Sequence, residues 1–575
     1  MAFLRLRNAS VSYSEGREVL HDISLDIEEG EFVLITGPTG SGKSTLGLCL
    51  AGLLPEVVYG QITGHIELMG VDPRVEGARA ALRASVGMVF QTAESQLIAF
   101  TLEEEVAFGP ENLGLSHEQV VHRTDEAIAQ TGLPHLRGRR TSRFSGGEKQ
   151  RTVIGAALAM EPRLMVLDEP LSNLDPQGAH NVAHCIKRMN EERGVTVVLI
   201  EKDLDLVGPL CDRLIVIDGG RIVADGPPEE VLIDGAMLER SALKQPEVVW
   251  LAMEMRRRGW LPAGRLPLSA QQLTEGMGKS ESQPRPEPVS TSVATGGRSA
   301  DRPPAVEVED LVHLYPGAEH PALKGVSASI DPSEFVWLVG SNGSGKTTMV
   351  KHFNGLLKPT TGSVRIQGRD VRDLKAQEVC RLVGHVFQNP TEQLVCDRLL
   401  AEVMYGLLSM GLDREAAARK AHESLAQVGL DSRADGFTFN LSKGEQTKLV
   451  IASVLAMSPA LVVLDEPTHG LDAKTKRDIL RIVFEANRGG TSIAFITHDM
   501  GLLASKDARV LAMGHGEILA DTTARRLFAD DALMREASIV PPPIAQAGVS
   551  LGIGPVLTGE EALGLLQATG GPATI

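Results

Sequence analysis

The stretch Glu31–Pro55, EFVLITGPTGSGKSTLGLCLAGLLP, decides the fold, and it recurs as Glu334–Pro359, EFVWLVGSNGSGKTTMVKHFNGLLKP. In each, an apolar run, Phe32–Thr36 or Phe335–Val339, ends at a glycine-rich loop and gives way to a helical pattern. Both loops match GxxxxGK[ST]. The first is Gly37, Pro38, Thr39, Gly40, Ser41, Gly42, Lys43 and Ser44, followed by Thr45. The second is Gly340, Ser341, Asn342, Gly343, Ser344, Gly345, Lys346 and Thr347, followed by Thr348. Glycines let the backbone curl so that successive N–H groups face a phosphate, and the following helix adds its positive end. The lysine reaches the outer phosphates, and Ser44 or Thr347 offers a hydroxyl to Mg²⁺. Two matches, each after an apolar strand and before a helix, leave little room for chance.

A second pair of segments repeats the order. RFSGGEKQRTVIGAALAMEPRLMVLDEP (143–170) answers NLSKGEQTKLVIASVLAMSPALVVLDEP (440–467), so the chain is a duplication of one unit. Buried strands alternating with helical patterns predict an α/β sheet with helices on both faces. Leu164–Leu167 and Leu461–Leu464 run into Asp168-Glu169 and Asp465-Glu466. The aspartate is placed to hold Mg²⁺, and the glutamate to orient or deprotonate water. Such a pair often only caps a helix; its position after a phosphate loop favours the functional reading.

Length and composition bound the rest. A chain of 575 residues, 43% hydrophobic and 23% charged, predicts several globular domains. No stretch reaches the about 18 apolar residues of a membrane span, and MAFLRLRNAS (1–10) has no apolar export signal. The formal charge of −17 argues against nucleic acid as a partner. Cys49, Cys185, Cys211, Cys380 and Cys396 form no metal-ligand spacing and read as reduced thiols. The expected domains are 1–240 and 305–535. Helical tails at 241–275 and 536–575 follow them, and 276–304, rich in Pro, Ser and Gly, is a flexible linker between.

Phe144-Ser145-Gly146-Gly147-Glu148 and Leu441-Ser442-Lys443-Gly444-Glu445 are more restricted than the other motifs. With them the chain resembles the ATP-binding-cassette (ABC) ATPases over nearly its whole length. The resemblance implies two tandem P-loop NTPase domains, each with a helical subdomain. It implies that cassettes pair head to tail, within one chain or between two, with ATP held between one phosphate loop and the other's signature. Ser145, Gly146, Gly147, Ser442 and Gly444 would meet the γ-phosphate. Gln91 and Gln388 match the glutamine that senses Mg²⁺ and faces a membrane partner. Tyr13 and Tyr315 match the aromatic that stacks on adenine, although either could be a half-buried strand tyrosine. Asp175 and Asp472 match the loop after the acidic pair. His498, in ITHD, matches the histidine contacting the γ-phosphate.

Two positions depart from that pattern: Lys202 stands where the other copy has His498, and Lys443 replaces the signature's first glycine. A lysine donates hydrogen bonds but accepts none, so it cannot do what a neutral imidazole does. Replacing the glycine is expected to restrict the signature turn. First-to-second pairing would put both changes in one pocket. The expectation is one hydrolytic pocket, at Glu466 and His498, and one that binds ATP and hydrolyses it slowly, although Glu169 is retained.

Within the family, the chain is similar to the ATPase subunits of energy-coupling factor (ECF) transporters. The resemblance rests on FQTAESQLIAFTLEEEVAFGPENLGL (90–115), its echo at 387–412, the helical tails and the fusion of two cassettes. It implies a membrane coupling subunit and a small substrate-binding membrane subunit as partners, and a place on the cytoplasmic face of the membrane. The cargo would be a vitamin, a vitamin precursor, nickel or cobalt. The alternatives are a soluble twin-cassette ATPase acting on ribosomes or nucleic acid, and the ATPase of a conventional sugar or peptide importer.

Overall fold

Alternating apolar residues in Leu4–Ser12 and unbroken apolar runs such as Phe32–Thr36 call for two kinds of sheet, and both form. The computed structural model describes residues 3–13, 18–55, 57–75, 77, 82, 84–172, 174–277, 303–569 and 571. Residues 278–302, most of the expected linker, lie outside the described residues. The chain divides into two units, Met1–Lys279 with Thr569–Ile575, and Ser280–Ala568.

In the first unit a six-stranded sheet runs in the order Val86–Val89, Leu164–Asp168, Thr196–Ile200, Phe32–Thr36, Arg213–Asp218, Arg221–Gly226. All pairings are parallel except the last. The second unit repeats it with Val383–Val386, Leu461–Asp465, Ser492–Ile496, Phe335–Val339, Arg509–Gly514 and Glu517–Thr523. Because these strands are parallel, the loops leaving Phe32–Thr36, Leu164–Asp168 and Thr196–Ile200 emerge at one edge, where ligand sites of such sheets form.

The expectation of helices on both faces needs amending. In the second unit, Phe335, Trp337 and Val339 pack with the helical side of the core. Val336 and Leu338 face a second cluster shared with the antiparallel strands Val306–His313, Leu323–Ile330 and Thr361–Ile366. Thus one face is covered partly by a second sheet. Its sequence signal is the period-two burial of Val306–His313, a weaker mark than the glycine loops.

Each unit carries a helical subdomain: Leu102–Asn112, His117–Gln130 and Gly146–Leu158 in the first, and Leu399–Ser409, Arg414–Gln427 and Lys443–Ala456 in the second. Thr101 and Ser116 start their helices with reciprocal capping boxes to Glu104 and Gln119. Both tails are helical, as Glu247–Arg257 with Ala270–Gly276, and Pro543–Ser550 with Gly559–Ala568. Cys49, Cys185 and Cys211 are buried free thiols, and burial pushes Cys49 and Cys211 up to about 12, which makes them inert. Among the described residues, no helix is long and apolar enough to cross a membrane.

Candidate functional site

The phosphate loops take the shape their glycines permit. Gly42 and Gly345 sit at φ +101° and +102° immediately before the helices Lys43–Leu50 and Lys346–Phe353. A side chain at Gly37 or Gly340 would strike the carbonyl of Ile217 or Met513 on the neighbouring strand. Lys43 and Lys346 are buried. Lys43 Nζ donates to the carbonyls of Gly37 (2.9 Å) and Pro38 (2.7 Å), and Lys346 Nζ to those of Gly340 and Ser341 (both 2.8 Å). A phosphate oxygen is a stronger partner for an ammonium than a neutral carbonyl, so the lysines are poised to exchange one for the other. The Tyr13 hydroxyl bonds Thr45 Oγ1 at 3.0 Å, and the Tyr315 hydroxyl bonds Thr348 Oγ1 at 3.1 Å. Both rings are thereby fixed beside the helix that follows the loop.

The acidic pairs follow. Burial pushes the Asp168 carboxyl up, opposed by a hydrogen bond from Ser44, and Asp168 Oδ1 is buried with no hydrogen-bond partner. Asp465 is likewise pushed up to about 6 by burial, opposed by Thr347 and reinforced by the Glu466 charge. A buried carboxylate with a spare oxygen beside a hydroxyl suits a hard, oxygen-seeking dication, so these residues fit Mg²⁺. When bound, Mg²⁺ supplies charge neutralisation at the phosphates.

Glu169 and Glu466 lie in the left-handed region, at φ 46° and 49°, which turns each carboxylate off the end of its strand. Their surroundings differ. Glu169 Oε1 is 2.8 Å from Lys202 Nζ, and its Oε2 accepts from Gln91 Nε2 at 2.8 Å. Glu466 Oε1 lies 3.0 Å from His498 Nδ1, an ion-pair distance without the alignment of a good hydrogen bond, and its Oε2 accepts from Gln388 Nε2 at 3.3 Å. Burial pushes the Glu466 carboxyl up, but the contact with His498 and the charges of His498, His469 and Lys346 outweigh it and hold the group below the ordinary value. Glu466 is therefore an ionised acceptor next to imidazoles, whereas Glu169 is neutralised by an ammonium. Gln91 and Gln388 reach the glutamates of the pairs rather than the aspartates.

Ser145 and Ser442 cap their helices identically. Each backbone N–H donates to Glu148 or Glu445, whose N–H donates back to the serine hydroxyl. Ser145, Gly146, Ser442 and Lys443 are exposed at these helix starts. The expected restriction at Lys443 is not found. Ser145 and Ser442 have φ −64° and −62°, and Gly146 begins its helix as Lys443 does, without a left-handed backbone. The turn never uses glycine's freedom, so the substitution changes charge and bulk but not the fold of the signature. Asp175 and Asp472 cap the helices Pro176–Arg193 and Ala473–Arg488.

Two residues at these sites escaped the sequence reading. Glu201, where the second copy has Thr497, is buried and accepts from the N–H groups of Leu171 (2.8 Å) and Lys202 (3.1 Å). His469, where the first copy has Ser172, lies 3.8 Å from Glu466 Oε2. Aligning the copies residue by residue around each acidic pair was the signal that could have found both.

Burial pushes Glu201 up to about 8, from an ordinary 4.5. The folded chain then holds a proton that the unfolded chain has lost between these values, so stability falls as pH rises through that window. Glu201→Gln, which mimics the protonated acid, should flatten the decline of the first unit's melting temperature between pH 5 and 8; thermal unfolding at both pH values checks this.

The family model described as ABC transporter matches residues 20–172 and 323–469. A Methanosarcina acetivorans protein, provisionally named as an ABC transporter ATP-binding protein, is 35% identical over 557 residues, covering 95% of this chain and 90% of the relative. A Caldanaerobacter subterraneus protein with the same provisional description is 33% identical over 547 residues, covering 93% of this chain and 94% of its own. A Bacillus subtilis protein, provisionally named as the HMP/thiamine import ATP-binding protein YkoD, is 31% identical over 543 residues, covering 94% of this chain and 95% of its own. Each match to the family model runs from before a phosphate loop past the adjoining acidic pair, so the chain belongs to the ABC transporter family, as an ATP-binding, ATPase subunit made of two cassettes.

Proposed function

We propose that this chain powers an ECF-type importer, bound to the cytoplasmic face of a membrane through a coupling subunit that carries a small substrate-binding membrane subunit. Cargo of the vitamin, vitamin-precursor or cobalt/nickel class goes with that reading. The thiamine-import name of the Bacillus relative agrees with it. So do the helical tails and the fused cassettes. A further support is the apolar surface after each glutamine: Ile98 and Phe100 are 60% and 79% exposed, and Val395 is 67% exposed. Such side chains in an acidic chain suit an apolar protein partner better than a polyanion. The reading carries with it the family's pairing of cassettes on ATP.

In this proposal the loop amides, Lys43 and Lys346 hold the triphosphate, while Ser44 with Asp168 and Thr347 with Asp465 hold Mg²⁺. Gln91 and Gln388 position the glutamates. Glu466 orients and deprotonates the attacking water, and His498 contacts the γ-phosphate. The single observation behind the hydrolytic role is the ionised, buried Glu466 between Gln388 and His498. Glu169, engaged by Lys202, works slowly. A tagged chain drawn from detergent extract should bring down a polytopic coupling protein with a small membrane subunit, and Phe100→Glu with Val395→Glu should abolish that recovery while ATP binding persists. Recovery of ribosomes instead, or of a sugar or peptide permease, overturns the ECF assignment.

A further inference from the structure

The two cassettes differ most where their chemistry is most exacting. The second replaces Ser172 and Lys202 of the first with His469 and His498, beside the glutamate both share. One donor atom each from Glu466, His469 and His498 therefore lies within 4.8 Å of the other two. Among the described residues no other three His, Cys, Asp or Glu side chains meet this way.

The spacing is close to that of a coordination shell. Glu466 Oε1 is 3.0 Å from His498 Nδ1, Glu466 Oε2 is 3.8 Å from His469 Nδ1, and the two rings stand edge to face with centroids 5.4 Å apart. Donor atoms around a tetrahedral ion with bonds of about 2.0–2.2 Å are about 3.3–3.6 Å apart. Side-chain rotation of the order of 1 Å closes the difference. The Glu466 and His469 side chains are each 9% exposed and that of His498 is 21% exposed, so the group is shielded without being sealed.

Two imidazoles and one carboxylate form the donor set of zinc sites that keep a fourth position open. They are a poor set for Mg²⁺, which prefers oxygen donors in an octahedron. A ligating imidazole must be neutral. Binding therefore releases any proton that either ring carries. The nearby charges of Lys443 and Lys476 oppose a cation; Lys476 is countered by Asp499 at 2.7 Å, and Glu466 supplies the site's own negative charge.

We propose that Glu466, His469 and His498 form a binding site for a divalent transition-metal ion of the Zn²⁺ type, and that its occupation removes Glu466 and His498 from the hydrolytic cycle. Binding stands on the side-chain geometry alone, whereas the block on hydrolysis rests on the functional reading above. Excess transition metal would then silence the second cassette directly, and the first cassette, with Ser172 and Lys202, would not respond.

The test titrates the full chain with Co²⁺ in the presence of Mg²⁺ and follows visible absorption. The expected result is one tetrahedral Co²⁺ per chain, bleached by Zn²⁺. His469→Ser, which installs the first copy's residue, should weaken binding by at least the about 10–100-fold that even an outer-shell change costs. His498→Ala, read by absorption alone, should do the same and guards against one variant failing to fold. Zn²⁺ should inhibit wild-type ATP turnover over its binding range, and His469→Ser, measured against its own zinc-free rate, should escape that inhibition. Equal Co²⁺ spectra in wild type and both variants overturn the site. Undiminished turnover by zinc-loaded wild type overturns the block. A Co²⁺ site in a chain with no ATP turnover keeps the metal proposal and removes the ATPase reading.

Discussion

Glu466→Gln should lower ATP turnover about 100-fold or more, while Glu169→Gln should leave it within about twofold. A positioned general base is worth about 10²–10⁴ in rate, and only one glutamate is free to act as one. Glu466 is ionised and faces imidazole and amide groups that leave it an acceptor. The Glu169 carboxylate is engaged on one oxygen by Lys202 and on the other by Gln91. Removing a charge already paired with a neighbouring ammonium should take little from a pocket proposed to be the slow one. Steady-state phosphate release gives the comparison, and nucleotide binding by both variants shows that the loops survive. Equal losses in the two variants would end the idea of unequal cassettes.

Trp337→Ala should cost the second unit about 3–5 kcal/mol, the range for deleting a large aromatic from a packed core. Trp337 is fully buried, meets Phe335 and Phe495 edge to face at 4.7 and 5.0 Å, and donates from Nε1 to the Lys506 carbonyl at 3.2 Å. Alanine leaves a cavity and strands that carbonyl without its donor. The first copy carries Leu34 at this position, so Trp337→Leu should cost less. Hydrogen exchange followed peptide by peptide separates the units: protection should fall along Phe335–Val339 and Ser492–Ile496 and hold along Phe32–Thr36. Unchanged exchange in the second unit would show that the cavity is filled by repacking.

What could be read from the residues was whatever depends on local order. Phe32–Thr36, Phe335–Val339 and Ser492–Ile496 match the sequence reading to the residue, because strands buried on both faces are unbroken apolar runs. Lys43 and Lys346 begin helices because a left-handed glycine precedes each. The antiparallel sheet was missed because Leu4–Ser12 and Gln61–Leu68 are joined only through pairing across long sequence gaps, and their alternation is interrupted by shifts in register. At the sites, the loop, the acidic pair and the signature were legible as motifs. The ion pair of Lys202 with Glu169, the buried acid Glu201 and the approach of His469 were not, because each arises between separate strand-end loops. The signature turn was misjudged at Lys443 for a related reason: a glycine in a motif suggests a special backbone, and only the dihedral angles show that an ordinary helical one serves.

Glu169 keeps the same left-handed backbone as Glu466 although Lys202 has captured its carboxylate. Such a conformation is worth about 1–3 kcal/mol of strain in a residue other than glycine, and the first cassette bears it without the benefit of a free base. The path of the chain from strand to loop, rather than the use of the side chain, must therefore dictate that conformation. Competence at this position is then a reversible trait: altering residues 201 and 202 on the adjacent strand end would liberate the dormant carboxylate, with no rebuilding of the loop that carries it.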